Sequence, residues 1–390
     1  MMKIMTAMYT MKRGGSYNRF VMMSDAFLEK GWEVYCLSLT PIRVQNAHFY
    51  NHVLLYPFRN KESLMAKLTV FFFFPIWSVW MGCRHKINLI VAFGLLYAFL
   101  LGFSKWLLRI PMVTFVRGNY SFGLRMQNPS RLLLLLNKMI EFCGLLLSNE
   151  IITNNYGARN EILKTLRKAR NAEIRVLYNN IPPMPIQEKQ DILQTRGKYG
   201  IPENAKVVVT AGVLNRGKNI GTLIKCIPKI GVKDIYVLIA GEGSTKDDLQ
   251  YKNFVKELAR KLDVANHVIF TGWLEKEELW NIYDASDLFV LPSLKEGMPN
   301  ALLEALGSGL PCIASNIPGN RDILQYEELM FDPLDEKAIM EKIQLTFSDS
   351  KFFNKIQELC RERKRVFVFN WKDRMFQTVT TGFDGACQRA

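Results

Sequence analysis

A chain of 390 residues with 49% apolar and 22% charged residues has globular composition, which excludes a disordered or collagen-like polymer. It exceeds the size at which one core keeps growing, so two domains are expected. The formal charge of +15 is uneven: residues 1–180 carry 23 Lys and Arg against 8 Asp and Glu, and the remainder is balanced. The basic half suits an anionic partner such as membrane lipid, nucleic acid or a phosphorylated substrate, although a solvated basic surface gives the same count. Seven cysteines (Cys36, Cys83, Cys143, Cys226, Cys312, Cys360 and Cys387) are widely spaced with no CxxC pair. They read as reduced thiols of a cytosolic protein. Met1–Tyr9 is broken by Lys3 and followed by Lys12–Arg13, and does not read as a signal peptide.

In chain order, Lys3–Tyr9 reads as a strand, Gly14–Gly15 as a loop, Ser16–Lys30 as a helix and Glu33–Leu39 as a second strand. That is a parallel βαβ unit. The rhythm returns at Lys206–Leu214, Gly221–Ile230 and Ile235–Ala240, and again at Val268–Thr271, Glu277–Asp284 and Leu288–Pro292. The fold class expected is α/β, with two doubly wound domains. The boundary is expected near Asn179–Gln187, where IPPMPI breaks the pattern, giving domains 1–180 and 181–370. Phe353–Ala390 reads as helical, with Trp371 as an anchor and 371–390 as a separate terminal helix.

Two apolar stretches stand apart. Leu68–Cys83 holds FFFFPIWSVW, and Ile87–Ser104 runs eighteen residues without a charge, the threshold for a membrane-spanning candidate. One reading is core: a buried strand at Asn88–Phe93, Gly94, then a buried helix ending near Arg109. The other is an interfacial patch, in which Phe71–Phe74, Trp77 and Trp80 meet a bilayer beside Arg84, Lys86, Lys105 and Arg109. The pattern leaves both open.

The segment from Asp287 to Pro311 is the most informative. A buried strand ends at Pro292, a loop carries Glu296 and Gly297, and a helix starts near Pro299–Asn300 and stops at Gly307–Gly309. The free N–H groups of a helix start form an anion site. Glu296 before the helix and Glu304 inside it can accept from two sets of hydroxyls, with phosphates between them. Alone, the pair also describes a helix with an acidic flank, which its dipole favours.

With its context, PSLKEGMPNALLEALGSGLP, the Glu296/Glu304 pair resembles the E-x7-E donor-site signature of the family-4 retaining glycosyltransferases, which have the two-domain GT-B fold with domains across a cleft. The likeness extends outward. Val176–Asn180 is similar to the family's interdomain segment, Thr210–Asn219 to its phosphate-binding loop, and Ala240–Gly243 and Thr271–Leu274 to loops lining its nucleotide pocket. Gly14–Gly15 is similar to its first glycine pair. The resemblance implies that Arg216 and Lys218 meet the charge growing on a diphosphate leaving group, that Glu296 contacts the transferred sugar, and that Glu304 accepts from ribose hydroxyls. Gly241, Gly243, Trp273, Leu274, Gly297, Met298, Pro299 and Asn300 would line the donor, and Gly15 would allow close backbone approach to the phosphates.

It further implies a UDP- or GDP-sugar donor, retention of anomeric configuration by same-face attack, and no cofactor. No DxD occurs and His48, His52, His85 and His267 lack ligand spacing, so no metal is expected. Two departures matter. Arg117 stands where many members carry a histidine, and an arginine cannot act as a general base. It is a candidate for acceptor or donor phosphate, or for an internal ion pair. Val213 replaces a common arginine, whose charge Arg216 must supply. The expected acceptor is lipid-linked or a saccharide, with the chain cytoplasmic and peripheral on an anionic membrane surface. A small soluble acceptor and a non-catalytic nucleotide-sugar-binding scaffold are the alternatives. Nucleic acid is not expected, because charge alone suggests it.

Overall fold

The computed structural model describes residues 1–9, 15–54, 63–117, 130–166, 173–183, 189–243 and 245–387. Met1–Tyr178 and Asn370–Ala390 form one compact unit and Asn179–Phe369 the other. Gly14 and part of the proline-rich segment, residues 184–188, lie outside the described residues.

The first unit runs β1 (Lys3–Met8), α1 (Gly15–Glu29), β2 (Glu33–Ser38), β3 (Phe49–Val53), α2 (Leu64–His85), β4 (Leu89–Ala92), α3 (Leu95–Leu108), β5 (Met112–Val116), α4 (Arg131–Leu147), β6 (Glu150–Thr153), α5 (Tyr156–Leu166) and β7 (Glu173–Val176). Its sheet has the order β3-β2-β1-β4-β5-β6-β7 and every pairing is parallel. The central strands are apolar without alternation, as expected where helices cover both faces. Right-handed crossovers place α2, α3, α4 and α5 on one face and α1 on the other. Ala66, Val70, Phe74 and Met81 of α2 and Ala98, Leu100 and Leu101 of α3 share a core cluster with Met5, Ala7, Ile90 and Met112 of the strands.

Both apolar stretches of the sequence therefore contribute to the core, but each by one side only. Ser63 caps α2 by accepting from the Ala66 N–H at 3.2 Å, and the left-handed Lys86 and Arg109, φ 54° and 55°, end α2 and α3. Glycines bring the helices close. A Cβ on Gly102 would sit 2.4 Å from Leu147 Cδ1, and one on Gly144 would sit 2.5 Å from the Leu95 carbonyl.

The second unit runs α6 (Lys189–Lys198), β8 (Lys206–Ala211), a 3-10 turn at Arg216–Lys218, α7 (Ile220–Cys226), β9 (Ile235–Ala240), α8 (Lys246–Lys261), β10 (Val268–Gly272), α9 (Lys276–Asp284), β11 (Leu288–Leu291), α10 (Asn300–Ser308), β12 (Cys312–Ser315), α11 (Pro318–Leu324), β13 (Met330–Phe331), α12 (Glu336–Ser348) and α13 (Ser350–Phe367). Its sheet is also parallel, in the order β10-β9-β8-β11-β12-β13. Two doubly wound parallel sheets are thus present, as the alternation predicts.

Boundaries differ where backbone chemistry intervenes. The strand expected to reach Leu214 ends at Ala211, because Gly212 turns away at φ 140°. The helix expected through Ile230 ends at Cys226, where Pro228 enters a 3-10 turn. The helix expected from Phe353 begins at Ser350, three residues ahead, and the chain is extended at Val368, so the separate terminal helix expected from 371 is α14 (Trp371–Cys387).

Helix α14 packs with the first unit. Trp371 is buried beneath the Arg19 guanidinium, 5.2 Å from its ring centre. The Phe376 ring meets Phe27 and Trp32 edge-on at 5.9 and 5.2 Å, and Lys372 donates to Glu29 at 2.5 Å. In the second unit Phe289, fully buried on β11 and edge-on to Tyr283, fills the sheet centre. Phe289→Ala is expected to destabilise that unit by about 3–5 kcal/mol, read as a lowered denaturant midpoint with unchanged slope.

Candidate functional site

In a parallel sheet the loops after the carboxyl ends of the strands share one edge, and ligands bind where strand order reverses. In the second sheet that point lies between β8 and β11, which are hydrogen-bonded neighbours although β9 and β10 lie between them in sequence. Lys218 comes from the loop after β8 and Glu296 from the loop after β11. The Lys218 ammonium donates to Glu296 Oε1 at 2.6 Å, with both side chains largely shielded from solvent. The Ser293 hydroxyl donates to the same oxygen at 2.7 Å. Both hydrogen bonds fall on Oε1, so Oε2 is the carboxylate oxygen left to accept from another group.

Backbone packing fixes these loops. The Leu294 N–H donates to the Gly217 carbonyl at 2.8 Å, tying the two loops together. Gly212, at φ 140°, lies where a Cβ would come 3.2 Å from Lys218 Nζ. Gly241, at φ 143°, packs so closely that a Cβ would overlap the Gly212 carbonyl at 1.9 Å. Gly319, at the start of α11, faces the Glu296–Gly297 loop, where a Cβ would come 2.2 Å from the Gly297 carbonyl.

A buried polar chain supports Glu296 from behind. Asn320 Nδ2 donates to the Ser315 hydroxyl at 3.0 Å, Ser315 donates to the Ser293 carbonyl at 2.5 Å, and all three side chains are fully buried. Asn179 Nδ2 donates to the Met298 carbonyl at 3.1 Å and to Asn300 Oδ1 at 2.8 Å, which fixes the turn before α10. Met298 and Pro299 are buried beneath that turn, Pro299 stands at the N-cap position, and Gly309 ends the helix at φ 86°.

Glu304 lies half-buried on α10 beside the fully buried Tyr283. Burial foremost, then the Glu304 charge, pushes that phenol well above its ordinary value. Arg216 is exposed at the start of the 3-10 turn.

The loops after β9 and β10 complete this edge. Gly243 packs against α8, where a Cβ would meet Asp248 Cβ at 2.7 Å. Beside it, burial works to raise the Glu242 carboxyl, but Lys252, donating at 2.5 Å, and the Gly243 N–H hold it below its usual range. Trp273 is 43% exposed and Leu274 half-buried. Apart from Glu304, which lies one turn inside α10, the sequence-based candidates of the second unit therefore stand on loops or helix starts at one edge of the sheet.

Gly15 and Arg117 belong to the first unit. Gly15 is the exposed first residue of α1. Arg117 follows β5, its guanidinium 5.5 Å from the centre of the Phe93 ring and its carbonyl accepting from Asn154 at 3.3 Å. Burial, and then the nearby Arg19 charge, push Arg117 down to about 9.

Sequence reasoning did not single out Gly212, Gly319, Asn320, Ser315 or Asn179 individually. The Pro-Gly pair opening α11 and the Asn pair ending the 176–180 segment were the available signals.

Residues 191–364 match the family model "Glycosyl transferases group 1". Among curated proteins, the chain is 34% identical over 134 residues to the Escherichia coli UDP-Gal:alpha-D-GlcNAc-diphosphoundecaprenol alpha-1,3-galactosyltransferase, covering 34% of this chain and 33% of the relative. It is 24% identical over 230 residues to the Bacillus anthracis N-acetyl-alpha-D-glucosaminyl L-malate synthase, covering 58% and 57%. The matches span from about a third to under three fifths of the length of such relatives. Among solved structures, the Anabaena HepE protein in complex with UDP superposes with a TM-score of 0.77 at 15% identity, covering 98% of this chain and all of that one. At that identity the likeness speaks for the fold, the paired α/β domains of the GT-B type.

Gly241→Ala is expected to cost roughly 2–4 kcal/mol, from left-handed strain and overlap with the Gly212 carbonyl. Gly231→Ala, at φ 66° where a Cβ would make only an ordinary contact, 3.6 Å to Gln344 Nε2, is expected to carry only the strain, about 1 kcal/mol. Thermal midpoints of the two variants check the difference.

Proposed function

We propose that the chain, whose residues 191–364 match the family model "Glycosyl transferases group 1", transfers a glycosyl group from a nucleoside-diphosphate sugar, a UDP-sugar foremost, to a lipid-linked or saccharide acceptor at the cytoplasmic face of a membrane. The observation that carries this reading is the Lys218–Glu296 pair at the reversal of strand order, beside the start of α10. The place suits a diphosphate, and the pair sets a cation and a hydroxyl acceptor side by side. The uridine donor and undecaprenyl-linked acceptor named for the E. coli relative, and the UDP named for the Anabaena structure, support the choice of donor and acceptor. The malate synthase relative supports a small soluble acceptor as the second reading.

In the transfer the bond between the anomeric carbon and the phosphate oxygen breaks, and its electron pair stays on the nucleoside diphosphate. Lys218 and Arg216 take up that growing charge, with backbone N–H groups at the α10 start as further donors. This counter-charge suits a metal-independent transfer. Glu296 Oε2 accepts from a hydroxyl of the sugar and Glu304 from the ribose. Gly241, Gly243, Trp273 and Leu274 line the base, and Gly15 admits the phosphates to the backbone. Arg117 holds an acceptor or donor phosphate. The acceptor hydroxyl attacks from the face the diphosphate leaves, through an oxocarbenium-like transition state, so configuration is retained. Arg117 cannot take the acceptor proton, and the departing phosphate oxygen on the same face is placed to receive it.

A thermal-shift panel of UDP-, GDP- and ADP-sugars in excess chelator tests the donor. A ligand at 100 times its Kd stabilises by about 2.7 kcal/mol, a rise of roughly 2–4 °C for a domain of this size. One nucleotide class is expected to shift the wild type but not Glu304→Ala, and no shift with any class at millimolar concentration would overturn the reading. Lys218→Ala is expected to lower kcat by about 10²–10³, with transfer by the wild type undiminished by chelator.

A further inference from the structure

Helices α2, α3 and α4 carry a surface that the fold does not cover. Among the described residues, seventeen of the twenty-nine exposed large apolar side chains lie on these three helices. Phe72 and Ile76 of α2 are 61% and 66% exposed, Trp106 and Leu107 of α3 72% and 51%, and Leu132 and Leu136 of α4 66% and 47%. The helices form one continuous face. Phe71 of α2 stacks on Phe99 of α3 at 5.8 Å, and Gly102 and Gly144 let α3 and α4 approach closely. Contiguous apolar surface on this scale marks an interaction site.

Charge says what covers it. Over residues 63–110 and 130–148, which hold the three helices, the chain carries seven Lys and Arg and one acidic residue, Glu141. Arg84, Lys86, Arg109, Arg131 and Lys138 are exposed at the ends and flanks of the three helices. A second copy of this chain, meeting the face across a two-fold axis, would bring these cations together. A layer with anionic groups outside and hydrocarbon beneath satisfies both the cations and the apolar side chains.

Helix α2 is long and apolar enough to cross a membrane by length and composition. Its stripe of Ala66, Val70, Phe74 and Met81 is packed into the core beside the sheet, however. A helix bound along one side has only its other side to offer to lipid, so contact is in the plane of the interface. Trp80 and Trp106, 51% and 72% exposed, are the amphipathic rings favoured at that depth.

We infer that the outer face of α2, α3 and α4 is a monotopic docking surface for an anionic lipid bilayer, with the apolar side chains seated below the headgroups and the surrounding Arg and Lys among them. The inference deepens the membrane part of the proposed function, on which it rests, by assigning the face and the mode of contact. It adds α4, which the apolar stretches of the sequence did not point to.

The full-length chain is sedimented with phosphatidylcholine vesicles, with and without 30% phosphatidylglycerol, in the absence of any donor. Binding at least tenfold tighter to the anionic vesicles is expected, weakening with added salt. The double variants Trp106→Ser/Leu107→Ser and Leu132→Ser/Leu136→Ser are each expected to lose at least tenfold in vesicle affinity, while thermal midpoint and nucleotide-induced shift stay at wild-type values. Equal binding by the variants, no binding by the wild type, or a dimer in solution that the same variants dissolve would overturn the inference. Because vesicle binding is read without transfer and nucleotide binding without lipid, failure of either reading leaves the other measurable.

Discussion

Parallel strands put their carboxyl ends on one edge, and a sheet wound in both directions from its centre must have one place where consecutive loops diverge. In the second unit that place is at the carboxyl ends of the neighbouring strands β8 and β11, and the candidate site is organised around the Lys218–Glu296 pair that joins the loops leaving them. An ion pair taken largely out of water needs further hydrogen bonds and good geometry to offset its desolvation. Ser293 donates to the same oxygen, and the Ser315–Asn320 chain anchors the backbone from behind. Gly241 and Gly319 then follow as necessities, because each stands where a Cβ would overlap a loop carbonyl, and Gly212 is held to glycine by its φ of 140°, with Lys218 pressed close beside it. The glycines position charge as much as they shape turns.

The first unit uses the same winding to a different end. Its sheet is covered on both faces, yet the helices on one face are apolar on their outer sides as well. A helix that is apolar all round is ordinarily buried in a large core or in a membrane. Here one side of α2 and α3 finds the core and the other meets a surface rich in cations. The terminal helix α14 belongs to this unit too, through Trp371 beneath Arg19 and Phe376 against Phe27 and Trp32. The buried Glu150 carboxylate occupies the space beside Gly382, where a Cβ would overlap it at 1.6 Å. The first and last segments of the chain thus share one fold.

The alternation of apolar strands and helices determined by itself that there would be two doubly wound parallel sheets, and β9 falls on the residues read from the pattern. The segment around Glu296 and Glu304 was legible because a strand end, a loop carboxylate and a helix start are all local features. The pairing of Lys218 with Glu296, 78 residues apart, was not legible, and neither were Asn320 behind it and the close approach of Gly212 and Gly241. Only the tertiary structure decided which side of each apolar helix is core. Sequence periodicity shows a buried face by contrast with a polar one, and in α2 and in the leucine run of α4 that contrast is missing. Where every side chain is apolar, burial is fixed by what the sheet can cover.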